Sequence, residues 1–249
     1  MSTTQGFGGG FSNSLGNDGF GSGFFRPVSS AAVVPTSGLL LYLDAGNSTS
    51  YPGSGATWFD LATSDGSNNA TLVNTPTFSS NNGGYFNFAK ASSESATVSG
   101  TNLVPSAAYS KVVWFNLTDV ASDNNLVSSA TGGHFMFFAG TNKLYSGHAN
   151  WASYTDYASS TNFSAGTWYL AVLTYTTADG MKLYVNGVLD STYTANKVAH
   201  TGDGSVNIGR FGVGNFLNGN IAQVLTYNRA IDFNEITSIY NASKSRYGL

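Results

Sequence analysis

The sequence contains no cysteine. Disulfides, thiolate catalysis and cysteine-ligated zinc are excluded together, which fits assembly in a reducing compartment. Charge is nearly as scarce, with Asp, Glu, Lys and Arg at 9% of 249 residues against about 25% in an average domain. The basic residues are scattered and the net charge is −3, so the basic stripe that nucleic acid demands is missing. No apolar run approaches the roughly 20 residues of a membrane span. The first residues lack the basic and apolar regions of a signal peptide, which predicts release by a route such as cell lysis. Only two glutamates occur, Glu94 and Glu235, whereas a glycosidase sets two carboxylates about 5–10 Å apart across the scissile bond. His134, His148 and His200 show no close metal spacing, and no Gly-x-Ser-x-Gly elbow exists.

What is abundant is apolar and aromatic, at 41% and 14% of the residues. That is enough for a large core, and the period-two patterning makes it a β core. Leu39 to Asp44 reads as a nearly continuous apolar strand, Tyr85 to Phe88 as another, and Lys111 to Leu117 as a central one. In the last of these Val112 and Trp114 face one way, Val113, Phe115 and Leu117 the other. His134 to Phe138 and Trp168 to Tyr175 follow. Met181, Leu183 and Val185 alternate with Lys182 and Tyr184, and Asn186-Gly187 supplies a two-residue turn into a return strand, Val188 to Tyr193. Ser205 to Gly209 and Gly219 to Tyr227 complete the set. Only then does the period change: Asp232 and Glu235 form a capping box, and Ile236, Ile239 and Tyr240 make one face of a short helix, about Asp232 to Ala242.

This order of parts carries a resemblance. A Trp-led strand, the hairpin LYVNG, then IGR, the Gly-bounded strand GNIAQVLTYNRAI and a capped helix together resemble the laminin-G-like, concanavalin A-like lectin/glucanase jelly rolls. The upstream block GLLLYLDAGNSTSYPGSGATWFDL is similar to the opening of the versions found in bacteriophage virion proteins. The resemblance covers roughly residues 38 to 249 and implies an all-β, two-sheet antiparallel jelly-roll sandwich with one short C-terminal helix. In many relatives a DLSGNG-type loop and a late Asp-Glu pair hold calcium. Here the loop reads DLATSDGSNNATL, and Ala222 and Gln223 stand where the pair would be. A structural calcium is therefore disfavoured and no cofactor is expected, with Asp44, Asp60 and Asp65 the remaining weak ligands, since calcium wants 6–8 oxygens.

Residues 1–37 form a Gly/Phe-rich arm and linker ahead of the domain at 38–249. In the arm Phe7, Phe11, Phe20, Phe24, Phe25 and Arg26 sit in a glycine background that cannot bury them locally. It reads either as a floppy tail or as a segment that lays its Phe rings into grooves on a partner. For sugar binding, Trp151, Tyr154 and Tyr157 lie in a polar, turn-rich stretch, His148 to Tyr157, with Tyr51 and Trp58 as a second set. Aromatic faces beside Asn and Asp stack on sugar rings. The expectation is a non-enzymatic virion component, a head decoration or a head or tail appendage. It would be anchored to other virion proteins by the arm, be homo-oligomeric on the particle and bind host glycans. A free or cell-surface carbohydrate-binding module is the alternative, with a glycoside hydrolase behind it.

Overall fold

The computed structural model describes residues 1, 33–62, 68–130, 133–150, 153–195, 197–202 and 204–249, the side chains of 150 and 153–155 excepted. The chain divides into two units, Met1–Ser30 and Ala31–Leu249, and the architecture that follows is that of the second.

The strands, in chain order, begin with β1 (Leu39–Asp44), β2 (Thr57–Trp58), β3 (Ala70–Val73), β4 (Thr77–Ser79), β5 (Tyr85–Phe88) and β6 (Ser95–Val98). Next come β7 (Ala108–Leu117), β8 (Asp123–Asn125), β9 (Val127–Ser128), β10 (His134–Ala139), β11 (Leu144–Asn150) and β12 (Ser153–Ala158). The last are β13 (Trp168–Thr176), β14 (Gly180–Val185), β15 (Val188–Tyr193), β16 (Asn207–Ile208) and β17 (Gly219–Tyr227), followed by helix α1 (Phe233–Ser243).

One layer runs β15-β14-β13-β7-β17-β5-β4, all antiparallel, with β1 continuing the β5 side of β17. Its centre is β7, as the sequence predicts, and both its faces are buried. Val113, Phe115 and Leu117 enter the main core, while Val112 and Trp114 enter a second one beneath α1. The opposite layer has two small sheets, β12-β11-β10-β8 and β2-β3-β6-β16-β9. Backbone bonds from Leu126 N to Met136 O and from Ser129 N to His134 O, both 2.9 Å, carry pairing from β8 along β10 past β9. The two small sheets thereby join edge to edge. Between the layers lie Leu41, Phe86, Phe115, Met136, Phe138 and Ile208, each fully or almost fully buried. This is an antiparallel sandwich with a single core between its sheets.

The turns follow the residues that permit them. Asn186 and Gly187 adopt φ of 51° and 80°, which closes the β14–β15 hairpin with the twist its strands need. In α1 the Asp232 carboxylate accepts from Glu235 N and Glu235 Oε2 accepts from Asp232 N, both at 2.9 Å. Eleven residues make a marginal helix alone. Packing holds it: Ile236 and Ile239 are buried, and Tyr240 stacks at 16° on Trp114.

Candidate functional site

The alternation of β10 decides where its side chains go. His134, Met136 and Phe138 turn inward, so Phe135 and Phe137 turn to the outer face of the second layer. Phe137 stands opposite Asn125 on one side and Tyr145 on the other. Phe135 stands opposite Gly147, which in turn pairs with Asp156 on β12. Glycine at that position puts no side chain between Phe135 and the carboxylate, and the sheet surface is hollow there. The β16–β17 connection forms one wall. Phe211 and Gly214 exchange two backbone hydrogen bonds of 3.1 Å, which throws Val213 to the tip of a tight loop, 94% exposed.

The result is a cleft of about 240 Å3 lined by Asn125, Phe135, Phe137, Asp156, Phe211 and Asn215. The rings form a connected platform, with Phe135 to Phe137 at 5.5 Å (75°) and Phe137 to Tyr145 at 5.5 Å (31°). Asn125 is buried at the base, and its side-chain oxygen accepts from the Ser128 hydroxyl. Asp156 and Asn215 are exposed at the rim. Aromatic faces with a few amide and carboxylate groups at the edge suit a ligand with one apolar face and several hydroxyls. No described lining residue is cationic.

The residues predicted from sequence end up in different places. Trp151 and the Tyr154 side chain lie outside the described residues, as do Phe7, Phe11, Phe20, Phe24, Phe25, Arg26 and Asp65. Of the stretch from His148 to Tyr157, read as turn-rich, residues 148–150 and 153–157 are instead paired strand, β11 with β12. Tyr157 is a correction, because its ring faces inward and stacks on Tyr193 at 4.1 Å and 15°, so it does not reach the cleft. Trp58 is another: its exposure is 0% and it packs edge-on against Phe86 at 4.9 Å. A ring with no exposed face cannot stack on a sugar. Tyr51 is also largely buried, wedged against Phe78 and Phe86, with its hydroxyl donating to Gly55 O. Only its edge reaches a second, open cleft between Pro52 and Gly83.

The weak metal candidates are occupied by protein donors. Arg246 grips Asp44 with two hydrogen bonds of 2.9 Å, and Gln223 Nε2 adds a third at 2.7 Å. A guanidinium and an amide thus neutralise the carboxylate that a cation would otherwise need. Asp60 accepts from the backbone N–H groups of Tyr42, Ala62 and Asn68, which is loop-capping chemistry. The two glutamates are committed as well, Glu94 to Ala89 N and Glu235 to the helix cap and Arg229.

A two-layer antiparallel sandwich with an aromatic cleft on its outer face defines a lectin-like jelly roll. The profile of the concanavalin A-like lectin/glucanases superfamily matches residues 90–237, and the chain belongs to that superfamily. No curated protein matches it in sequence. Among solved structures, the chain is similar to the binding domain of botulinum neurotoxin DC, solved in complex with SialylT. The TM-score is 0.63 at 12% identity, over 82% of this chain and 51% of that one. The binding domain of botulinum neurotoxin serotype D gives 0.64 at 12% identity, over 82% and 51%. The Trypanosoma rangeli sialidase in complex with the inhibitor DANA gives 0.62 at 14% identity, over 86% and 34%. The chain therefore spans about half of the toxin domains and a third of the sialidase.

Phe135, Phe137 and Phe211 were not singled out from the sequence as site residues. The signal was present in His134-Phe-Met-Phe-Phe138, where aromatic residues fall on both faces of one strand. A strand with only one face in the core would carry polar residues on the other.

Proposed function

We propose that this domain is a non-enzymatic glycan-binding module that takes neutral sugars in the cleft floored by Phe135 and Phe137. The observation that carries this reading is the cleft itself, with three phenylalanine rings beside Asn125, Asp156 and Asn215. At about 240 Å3 it is smaller than the roughly 300–1,000 Å3 of drug-sized sites. That volume suits a single sugar ring at the end or on a branch of a glycan. The C–H face of the sugar lies on the rings, and the amides and carboxylate bond its hydroxyls. Asp156, with no cation among the described lining residues, disfavours an anionic sugar such as sialic acid. The toxin domain in complex with SialylT and the sialidase in complex with DANA support a sugar-facing role for such folds. The charge of this cleft argues for a different sugar. Catalysis through two carboxylates is disfavoured because Asp156 is the one carboxylate among the described lining residues.

The test is a glycan array read with wild type and Phe137→Ala, alongside the melting temperature of each. Wild type is expected to be retained on neutral glycans, and Phe137→Ala to weaken retention at least tenfold while the domain stays folded. Unchanged retention by Phe137→Ala, or a wild-type preference for sialylated glycans, overturns the assignment.

In the same reading the module is carried on a bacteriophage particle, as a head decoration or a head or tail appendage, by its N-terminal segment. The support is compositional: Phe7, Phe11, Phe20, Phe24 and Phe25 stand among glycines with Asp18 and Arg26 as the charged residues. Each ring buried in a partner groove contributes roughly 1.5–3 kcal/mol, offset by ordering of its neighbours. Little of that is Coulombic, so attachment resists salt. Protein lacking residues 1–26 is expected to fold and stay soluble yet no longer join particles, while the full chain survives a molar salt wash. Equal decoration by both forms would remove the arm from this role. It would favour a free or cell-surface carbohydrate-binding module.

A further inference from the structure

Directly behind the cleft, on the inner face of the same sheet, lies a group of basic side chains with no carboxylate among the described residues. Lys111 on β7 has the parity of Val113 and Phe115, so its side chain points into the core, at 0% exposure. Facing it from the other layer are His134 on β10 and His148 on β11, both at 0% exposure. His200 joins from the loop before β16, and the ring centroids of His134 and His148 lie 6.0 and 5.9 Å from it. Tyr109 and Tyr175, paired across β7 and β13, complete the group. The sequence scatters these histidines, and the fold gathers them.

The tautomers follow from the partners. Each Nε2 meets a backbone carbonyl at 2.9 Å: Ser205 O for His134, Val198 O for His148 and Val104 O for His200. A carbonyl only accepts, so each Nε2 carries the proton and each Nδ1 is the lone pair of a neutral ring. These lone pairs serve the group itself. His134 Nδ1 accepts from Lys111 Nζ at 3.4 Å, and His148 Nδ1 accepts from the Tyr109 hydroxyl at 3.1 Å. His200 Nδ1 is buried without a hydrogen-bond partner, as is the Tyr175 hydroxyl. The three imidazoles thereby staple segments 104–106 and 198–205 across the seam between the layers.

We propose that this cluster is an acid-operated switch: proton uptake by His134, His148 and His200 releases the β10–β11 hairpin from β7 and β13. A proton on His134 Nδ1 sets N–H against the Lys111 ammonium. A proton on His200 adds a charge to a buried ring whose described hydrogen-bonding neighbours are the backbone of Val104, Gly202 and Pro105 and not a carboxylate, and one on His148 forces the Tyr109 hydroxyl to turn. Burial holds the Lys111 ammonium well below the usual lysine range. Burial, then Lys111 and the neighbouring imidazoles, hold His134 well below the usual imidazole range, and burial holds His200 down too. No described carboxylate is among the groups acting on Lys111, His134 and His200. The other described titratable groups facing the cluster are the two phenols, Tyr109 and Tyr175, which burial pushes up and keeps neutral. From β12, Tyr157 is turned to Tyr193.

The direction of the pH effect follows. Imidazoles held neutral in the closed form regain their ordinary value near 6.5 once opened to water. The open form therefore binds more protons below about pH 6.5, and closure weakens as pH falls through that value. His134 and His200 each add about a factor of ten per pH unit to the opening equilibrium, so the two acting together approach a hundredfold. Lys111 works in another window. Its stability term is already lost at neutral pH and returns only as pH rises toward the ordinary lysine value of about 10.4.

The experiment is hydrogen exchange at pH 7.5 and 5.5 on the full chain, corrected for intrinsic rates. Protection of residues 134–138 and 144–149 is expected to fall about a hundredfold at pH 5.5 and to recover on return to pH 7.5. The strands β1, β5 and β17 are expected to stay protected. Lys111→Met removes the charge beside His134 without opening a cavity, so its opening midpoint is expected about a pH unit lower. Retained protection at pH 5.5 overturns the proposal. So does loss spread evenly over every strand, or a midpoint that Lys111→Met leaves in place.

Discussion

Two of the buried charged side chains, Asp44 and Lys111, are treated in opposite ways. Asp44, at the end of β1, receives two bonds from Arg246, one from Gln223 and one from the backbone N–H of Gly46. Lys111, in the middle of β7, has a neutral imidazole at 3.4 Å and no carboxylate among the described residues. A buried charge with a full set of partners acts as a fixed clamp, tying β1, β17 and the residues after α1 together. One without a counter-ion gives up its proton more readily and leaves its surroundings responsive to pH. The difference teaches where rigidity and sensitivity have been separated. The clamp sits at the edge of the layer that carries the C-terminal helix, and the sensitive cluster sits behind the aromatic cleft.

The largest effect expected from breaking this contrast is at Arg246. Arg246→Met removes the guanidinium but keeps much of the packing volume, leaving the Asp44 carboxylate with the neutral groups of Gln223, Gly46 and Tyr42. Stranding a buried charge costs about 3–5 kcal/mol. Water reaches 21% of the arginine side chain but only 8% of the aspartate, so the lower end, about 3 kcal/mol, is expected. Urea denaturation at pH 7.5 measures it. A change below 1 kcal/mol would mean that the carboxylate is already satisfied without Arg246, and the clamp would lose its meaning.

Much of the sandwich was legible because period two and turn chemistry agreed. The β14–β15 hairpin, the two-faced burial of β7 and the capping box of Asp232 and Glu235 all stand where the residues put them. The site was less legible for a physical reason. Trp58 and Tyr157 sit among polar, turn-forming neighbours, yet tertiary packing buries the first and stacks the second on Tyr193. Local polarity says little about where a ring points once a strand pairs. β11 and β12 were hidden because Leu144 to Ala158 is rich in Ser, Gly, Ala, Asn and His, residues with weak strand preference. Their pairing with β10 is a long-range property. The Lys111 cluster left one hint, a lysine sharing the parity of Val113 and Phe115. The partners it meets come from strands that no local pattern brings together.

The smaller test of the clamp is Gln223. Its side-chain amide bridges the two ends of the network, donating to Asp44 Oδ2 at 2.7 Å and accepting from Ser243 Oγ at 3.2 Å. Gln223→Leu nearly preserves volume, so cavity formation contributes little and the lost bonds dominate. A hydrogen bond to a charged group contributes about 1.5–3 kcal/mol, and a neutral one about 1. The hydroxyl of buried Ser243 would also lose its acceptor. Arg246 still neutralises Asp44 in this variant, so no charge is stranded, and a loss of about 2 kcal/mol is expected. The double variant with Arg246→Met then decides between two accounts. If Asp44 depends on its donors as one network, the two losses will not add, because the first substitution has already disrupted what the second removes. If the losses add within a few tenths of a kcal/mol, the donors act independently. Asp44 would then be an ordinary surface-edge carboxylate, and its contrast with Lys111 would reduce to a difference in depth.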